Sequence, residues 1–205
     1  MGNQQYWDEV YETKARDAVS WYAPRLSTSV SLIQRVTAAN KSAAIIDIGA
    51  GQATLVDELL ADGFSDLSAL DISGEAIAKS KHRLGPAHER VGWYCADITT
   101  ASLPANRFDV WHDRAVFHFL TLAPHRERYV AQARDAVRPG GYVVLATFGP
   151  DGPLQCSGLP VVRYDSTQLA AVFKDAFELT DSALENHTTP AGKTQQFLYA
   201  VLRRL

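Results

Sequence analysis

No run of apolar residues in the chain approaches the roughly 20 needed to cross a bilayer. The first residues, MGNQQYWDEVYETK, are polar and amphipathic, unlike a secretion signal. A membrane-spanning or exported protein is therefore not expected. Cysteine is scarce, with only Cys95 and Cys156. Cys95 falls in a segment read as an interior strand, and neither a CxxC nor an HExxH pattern occurs. A disulfide and a metal centre are thus not expected, and a reducing cytoplasm is the compartment that fits. An excess of either charge is also missing: 23 acidic against 20 basic residues leave a net charge of −3. That argues against a general nucleic-acid or membrane-surface binder, though not against a local basic patch. No internal repeat or low-complexity segment interrupts the 205 residues, whose 46% hydrophobic content suits one soluble domain with a full core.

What is present alternates. The first forty residues read as helical with a break at Pro24, and residues 43–48 read as a strand. A helix is expected over 53–62, punctuated by Gly63, then a strand over 67–71 and a helix over 74–84 with Ser73 as N-cap. Strands follow at 91–96 and 108–112. A helix over 125–137 is ended by Arg138-Pro139-Gly140-Gly141, and a strand covers 142–148. Residues 149–165, with several Gly and Pro, read as a long loop; a helix spans 166–175; and two strands near 177–185 and 195–203 close the chain. Such alternation implies a mainly parallel sheet covered on both faces, with an antiparallel end. Ligands then bind at the carboxyl ends of the strands, where the strand order reverses.

The segment AAIIDIGAGQA at 43–53 is a strand running into a glycine turn and a helix. Gly49 and Gly51 let backbone approach a ligand where a side chain would collide. A lone glycine turn is a weak signal, but two spaced acids accompany it. Asp71, with Ile72, closes the second strand twenty residues after Gly51, where a carboxylate can accept both ribose hydroxyls of a nucleoside. Asp97 follows the third strand, placed to take a proton from an adenine amino group, with Ile98 packing on the base. Asp47 can orient the glycine turn or reach a cationic ligand group through water. The nicotinamide dinucleotide fingerprint needs a glycine at 54, where Thr54 stands.

On these residues the chain resembles the class I S-adenosylmethionine-dependent methyltransferases. The motifs are Asp47-x-Gly49-x-Gly51, Asp71, Ala96-Asp97-Ile98, Phe108-Asp109-Val110 and Arg138-Pro139-Gly140-Gly141, in order and spread over nearly the whole chain. One departure is Ala53, where the family often has a third glycine. The resemblance implies a Rossmann-like α/β fold: a seven-stranded, mostly parallel sheet with a C-terminal antiparallel strand and helices on both faces. It implies S-adenosylmethionine as methyl donor and S-adenosylhomocysteine as product. The expected organisation is one domain: residues 1–40 a helical lid, 41–148 the cofactor-binding half, and 149–205 a substrate loop with the last strands. WDEVYETK…SWY also resembles the opening segment of small methyltransferases that include the elongation-factor-1A lysine methyltransferases. There that segment helps form the donor pocket, which places Trp21 beside the cofactor. The other reading for these aromatics, stronger for Trp7 and Tyr11, is packing of a helix on the core.

Methyl transfer from a sulfonium is an in-line displacement, in which holding the acceptor close and aligned supplies much of the rate. A base is needed only for an acceptor that arrives protonated. The candidates lie after the fourth strand: His118, His112 and Asp113 as titrating groups, and Arg114 and Phe117 as substrate contacts. Arg163 and Tyr164, in the 149–165 loop, are the other substrate candidates, and Arg114 with Arg163 would make a carboxylate or phosphate clamp. Each has a structural alternative: an Asp113–Arg114 ion pair, a satisfied strand-end His112, a core-facing His118, an Arg163–Asp165 pair. The expected function is methyl transfer to a small-molecule O, N or S acceptor, by a monomer or homodimer with no nucleic-acid or membrane partner. A protein lysine acceptor is the alternative, although the acidic-lysine-type motif of that group is replaced by Asp113-Arg114-Ala115-Val116. A methyltransferase-like binding subunit without catalysis is a third reading.

Overall fold

The computed structural model describes residues 2–205. Helices α1 (Gln4–Thr13) and α2 (Ser27–Val36) precede the sheet. The interruption between them is wider than Pro24: residues 14–26 hold only a short 3₁₀ turn, Arg16–Ala18. Then come β1 (Ala44–Ile48), α3 (Leu55–Ala61), β2 (Asp66–Asp71), α4 (Gly74–Leu84), β3 (Val91–Cys95), β4 (Phe108–Arg114), α5 (Ala123–Ala136) and β5 (Val137–Phe148). A small hairpin, β6 (Gln155–Cys156) and β7 (Leu159–Pro160), sits inside the stretch expected to be plain loop. Helix α6 (Ser166–Phe173), β8 (Phe177–Thr188) and β9 (Thr194–Arg204) finish the chain.

Seven strands form one sheet in the order β3-β2-β1-β4-β5-β9-β8, parallel except where β9 runs antiparallel to both neighbours. This is the Rossmann-like architecture of class I methyltransferases. All five residues of β1 are buried, as a central parallel strand requires. Alternation assigns each to a face. Ile45 packs with Ile33 of α2, Leu55 and Leu59 of α3 and Val110 of β4. Ile46 and Ile48 pack on the other face with Tyr129 of α5 and Phe173 of α6. Each such side chain contributes about 1.5–3 kcal/mol on leaving water. The chain runs outward from β1 to β3, then returns to β4 on the far side of β1. The crevice at the carboxyl ends of β1 and β4 is therefore the switch point at which such sheets bind ligands.

Two sequence expectations change. Cys95 does not lie in the interior: β3 is the edge strand and Cys95, at its end, is exposed and unpaired. Arg138-Pro139-Gly140-Gly141 does not follow helix α5 as a loop but belongs to β5, since the helix stops at Ala136. Its reason is structural. Asp109 accepts the Ala44 N–H at 2.7 Å and pairs with Arg138 at 2.9 Å, and Gly141 runs so close to the Asp109 carbonyl that a Cβ would crowd it. Two of the five family motifs thus brace the sheet at the end away from the crevice. Among the described residues no helix is long and apolar enough to cross a membrane.

Candidate active site

The β1–α3 turn is shaped by two glycines with left-handed backbone, Gly49 at φ +64° and Gly51 at φ +52°. A Cβ on Gly49 would overlap Val116 Cγ2, and one on Gly51 would overlap the Tyr11 hydroxyl. Both glycines are therefore required by the protein's own close packing as well as by backbone angle. The turn is tied down by Asp71, whose carboxylate accepts the Gly51 N–H at 2.7 Å and the Ser73 N–H at 2.8 Å. Burial pushes the Asp71 carboxyl up to about 6; the two N–H bonds oppose the shift, and Asp47 and Asp8 reinforce it. Each of its oxygens keeps a second lone pair. Asp97 spends one oxygen on the Thr99 N–H and hydroxyl, both at 2.8 Å.

A cavity opens over these groups. Asp71, Ile72, Asp97 and Ile98 line one end; Trp7, Trp21, Arg114, Phe119 and Cys156 line the other. A second cavity adjoins it, sharing Tyr11, Trp21, Gly49 and Arg114, and adds Asp47, Gly51, Lys14, Arg16 and His112. The structure thus brings together all eight residues expected to hold the cofactor. The donor set suits a nucleoside joined to an amino acid: a carboxylate with free lone pairs for ribose, an apolar slot with a carboxylate at its edge for adenine, and a mixed-charge region by the glycine turn.

The N-terminal segment reaches the cavity because α1 docks on α4. Asp8 accepts the Ser73 hydroxyl at 2.6 Å and the Glu75 N–H at 3.2 Å, and Lys79 donates to the Tyr11 carbonyl at 2.6 Å. Trp7 stacks edge-on against Phe119 with centroids 5.2 Å apart, and Trp21 lies 6.1 Å from Trp7 and 6.5 Å from Tyr11. Packing and wall are therefore one role for Trp7 and Tyr11, which are both buried and cavity-lining. Ala115, also in the wall, holds φ +78°, a costly angle for a residue with a Cβ. Sequence reasoning missed Lys14, Arg16, Ala115 and Val116. Lys14 and Arg16 carry the one readable signal, basic residues just after the aromatic motif.

The residues around the end of β4 divide. His112 is satisfied and buried, with Nδ1 2.7 Å from the Asp47 carboxylate and Nε2 2.9 Å from the Ser29 hydroxyl. Asp113 makes no ion pair with Arg114; it accepts the Val116 and Phe117 N–H groups and the Tyr129 hydroxyl at 2.6 Å. Burial pushes its carboxyl up to about 7 against those bonds. His118 faces the core, stacked on Phe148 at 4.3 Å with neither ring nitrogen partnered. Burial first, and the Arg114 charge second, push it down to about 3. Phe117 and Tyr164 pack in the core with Phe173. Arg163 donates to the Gly152 carbonyl at 3.3 Å, while Asp165 caps α6 instead of pairing with it. His118, Asp113, Phe117, Arg163 and Tyr164 are thus outside the walls of both cavities, and the Arg114–Arg163 clamp is not assembled.

Residues 46–145 match a family described as a methyltransferase domain. The EEF1A lysine methyltransferase 2 of Danio rerio is 24% identical over 192 residues, covering 87% of this chain and 76% of that protein. The malonyl-[acyl-carrier protein] O-methyltransferase of Anoxybacillus flavithermus is 35% identical over 107 residues, 51% of this chain and 39% of that protein. In fold, the N-methyltransferase NodS of Bradyrhizobium japonicum WM9, solved with S-adenosyl-l-homocysteine, superposes with a TM-score of 0.75 at 16% identity over 97% of this chain and 98% of that one. Glycine turn, paired carboxylates, sheet order and sequence similarity converge: the chain carries a methyltransferase domain of class I fold and is an S-adenosylmethionine-dependent methyltransferase.

Proposed function

We propose that the acceptor is a small molecule that enters the cavity between Trp7, Trp21, Phe119, Arg114 and Cys156. The observation that carries this reading is the charge at that end. Arg114 brings a guanidinium into the wall, and the carboxylates lining the same cavity, Asp71 and Asp97, stand at the donor end. A lysine ammonium would meet a like charge there, while the acids of the two cavities, Asp71, Asp97 and Asp47, are the groups assigned to the donor and the glycine turn.

S-adenosylmethionine, when bound, supplies an activated methyl group and a neutral leaving group. Asp71 would hold its ribose, Asp97 its adenine amino group, and Ile72 and Ile98 the faces of its base. Residues 1–40 act as the lid. The aromatic rings exclude water and confine the acceptor, and confinement of this kind is worth several kcal/mol of the barrier. A protein lysine acceptor is the second reading. It is favoured by the similarity to EEF1A lysine methyltransferase 2 over 87% of the chain and by the aromatic walls, since rings attract ammonium groups.

The two readings separate by incubating the protein with tritiated donor and cell extract, then with purified elongation factor 1A. Label in the small-molecule fraction, with none on the factor, is the expected result. Label confined to protein lysine would overturn the small-molecule reading.

A further inference from the structure

We infer that Arg114 selects an acceptor that reacts as an anion, an acidic phenol or thiol, over a neutral amine. The inference rests on the small-molecule reading above and names its substrate class. Arg114 forms no ion pair among the described residues. One Nη donates to the Trp21 carbonyl at 2.8 Å, the guanidinium carbon lies 4.6 Å over the Phe197 ring, and Nε is buried without a partner. Arg114 is half-buried, and a charge partly withdrawn from water ordinarily finds a carboxylate.

Among the described residues no carboxylate pairs with Arg114: Asp47, which lines the second cavity with it, is bonded to His112 instead. Of the other groups facing it, His118 follows β4, His187 comes from β8, Tyr199 from β9 and Cys156 from β6. Glu185 of β8 accepts the Thr28 hydroxyl and makes no ion pair with Arg114. Asp113, next in the chain, points into the core toward Tyr129. The site therefore holds a positive charge in an aromatic cavity, with a spare buried donor.

The same wall lacks a base. Burial pushes the Cys156 thiol up to about 11 and raises the Tyr11 phenol well above its ordinary value, so both stay protonated at neutral pH. An O–H or S–H acceptor must therefore lose its proton to solvent before transfer, and a fixed guanidinium favours that ionised form. A lone pair of the acceptor anion then forms the bond to the methyl carbon as the carbon–sulfur bond of the donor breaks and its electron pair returns to sulfur. No protein group takes a proton in the step.

The test reads ionisation of a bound probe. 4-Nitrophenol, which changes colour on ionising near neutral pH, is titrated in the presence of protein saturated with S-adenosylhomocysteine. The expected result is a bound midpoint about one pH unit below the free one, a return to the free value in Arg114→Gln, and partial retention in Arg114→Lys. 4-Nitroaniline, of the same shape but neutral, should bind at least about tenfold more weakly. A wild-type midpoint at or above the free value would overturn the inference, as would an undiminished shift in Arg114→Gln or no saturable binding of the probe. Should Arg114→Gln fail to fold, the wild-type midpoint and the 4-nitroaniline comparison decide alone. With tritiated donor, transfer to anilines that Arg114→Gln leaves intact sinks this inference while the small-molecule reading stands. Label on protein lysine alone sinks both.

Discussion

His118 carries two ring nitrogens into an apolar site where neither has a partner, and this fixes its response to acid. An unfolded histidine titrates near 6.5, and burial holds the folded one at about 3. Its contribution to stability is whole above 6.5 and is lost as pH falls toward 3, by up to about 1.4 kcal/mol per pH unit. Asp71 and Asp113 act in the opposite sense. Their folded carboxyls lie at about 6 and about 7, so ionisation costs stability as pH rises from about 4, and that cost is relieved in acid. Subtracting a variant isolates the histidine. His118→Phe should match or exceed wild type by about 1 kcal/mol at pH 7, because two unsatisfied polar atoms disappear. It should also lose less stability between pH 6.5 and 4.5 in urea titrations, and retain methyl transfer. A variant that folds but is inactive would restore His118 as a base. Asp71 sets a second pH dependence. Ribose hydroxyls donate to the ionised carboxylate, so donor affinity measured by calorimetry should be flat above pH 7 and about tenfold weaker at pH 5. Equal affinities at the two pH values would remove Asp71 from the ribose site.

Helix α1 shows what reading the chain could and could not reach. The helical face of Trp7 and Tyr11 was legible as apolar periodicity. The anchor that aims that face at the cavity was not, because Asp8 is one acid among several until α4 is placed beside it. Its carboxylate holds the Ser73 hydroxyl and the Glu75 N–H. Asp8→Ala should therefore cost only about 1 kcal/mol in stability, the scale of a lost cap. It should weaken donor binding several-fold, because Trp7 and Tyr11 lose their seat; an unchanged donor affinity would show that α1 is seated by apolar contact alone. The same contrast recurs along the chain. Strand ends bearing Asp47, Asp71 and Asp97 were readable because parallel topology puts them on one edge. The orientations of His118 and Phe117 were not, since a short 3₁₀ turn, Phe117–Phe119, sends neighbouring side chains to opposite sides. The positive φ of Ala115 left no trace in composition, and Arg138 to Gly141 looked like a helix terminator because glycine and proline serve edges and bulges as well as turns.

The sheet order places both cavities on the carboxyl edge of β1 and β4, while α1, the β6–β7 hairpin and residues after β4 close over them. Three separate stretches of chain, residues 7–21, 114–119 and 156, therefore meet only in the folded state. A ligand held by all three binds the native state and has no counterpart site in the unfolded chain. Donor binding must then appear as global stability. At a hundredfold excess over its dissociation constant, the donor should add about 2.7 kcal/mol. For a chain of this length that is a rise in Tm of about 5–10 °C. S-adenosylhomocysteine should produce a comparable rise, and NAD none, because Thr54 occupies the position where a dinucleotide turn needs glycine. Asp71→Asn keeps the shape but sets an NH2 group against the Gly51 or Ser73 N–H, so it should melt somewhat lower without donor and forfeit most of the donor-dependent rise. Thermal unfolding of the two proteins with and without donor checks this directly. A rise that survives in Asp71→Asn would mean that the donor is held chiefly by the aromatic lid and the adenine slot, and that the carboxylate's main work is to fasten the glycine turn.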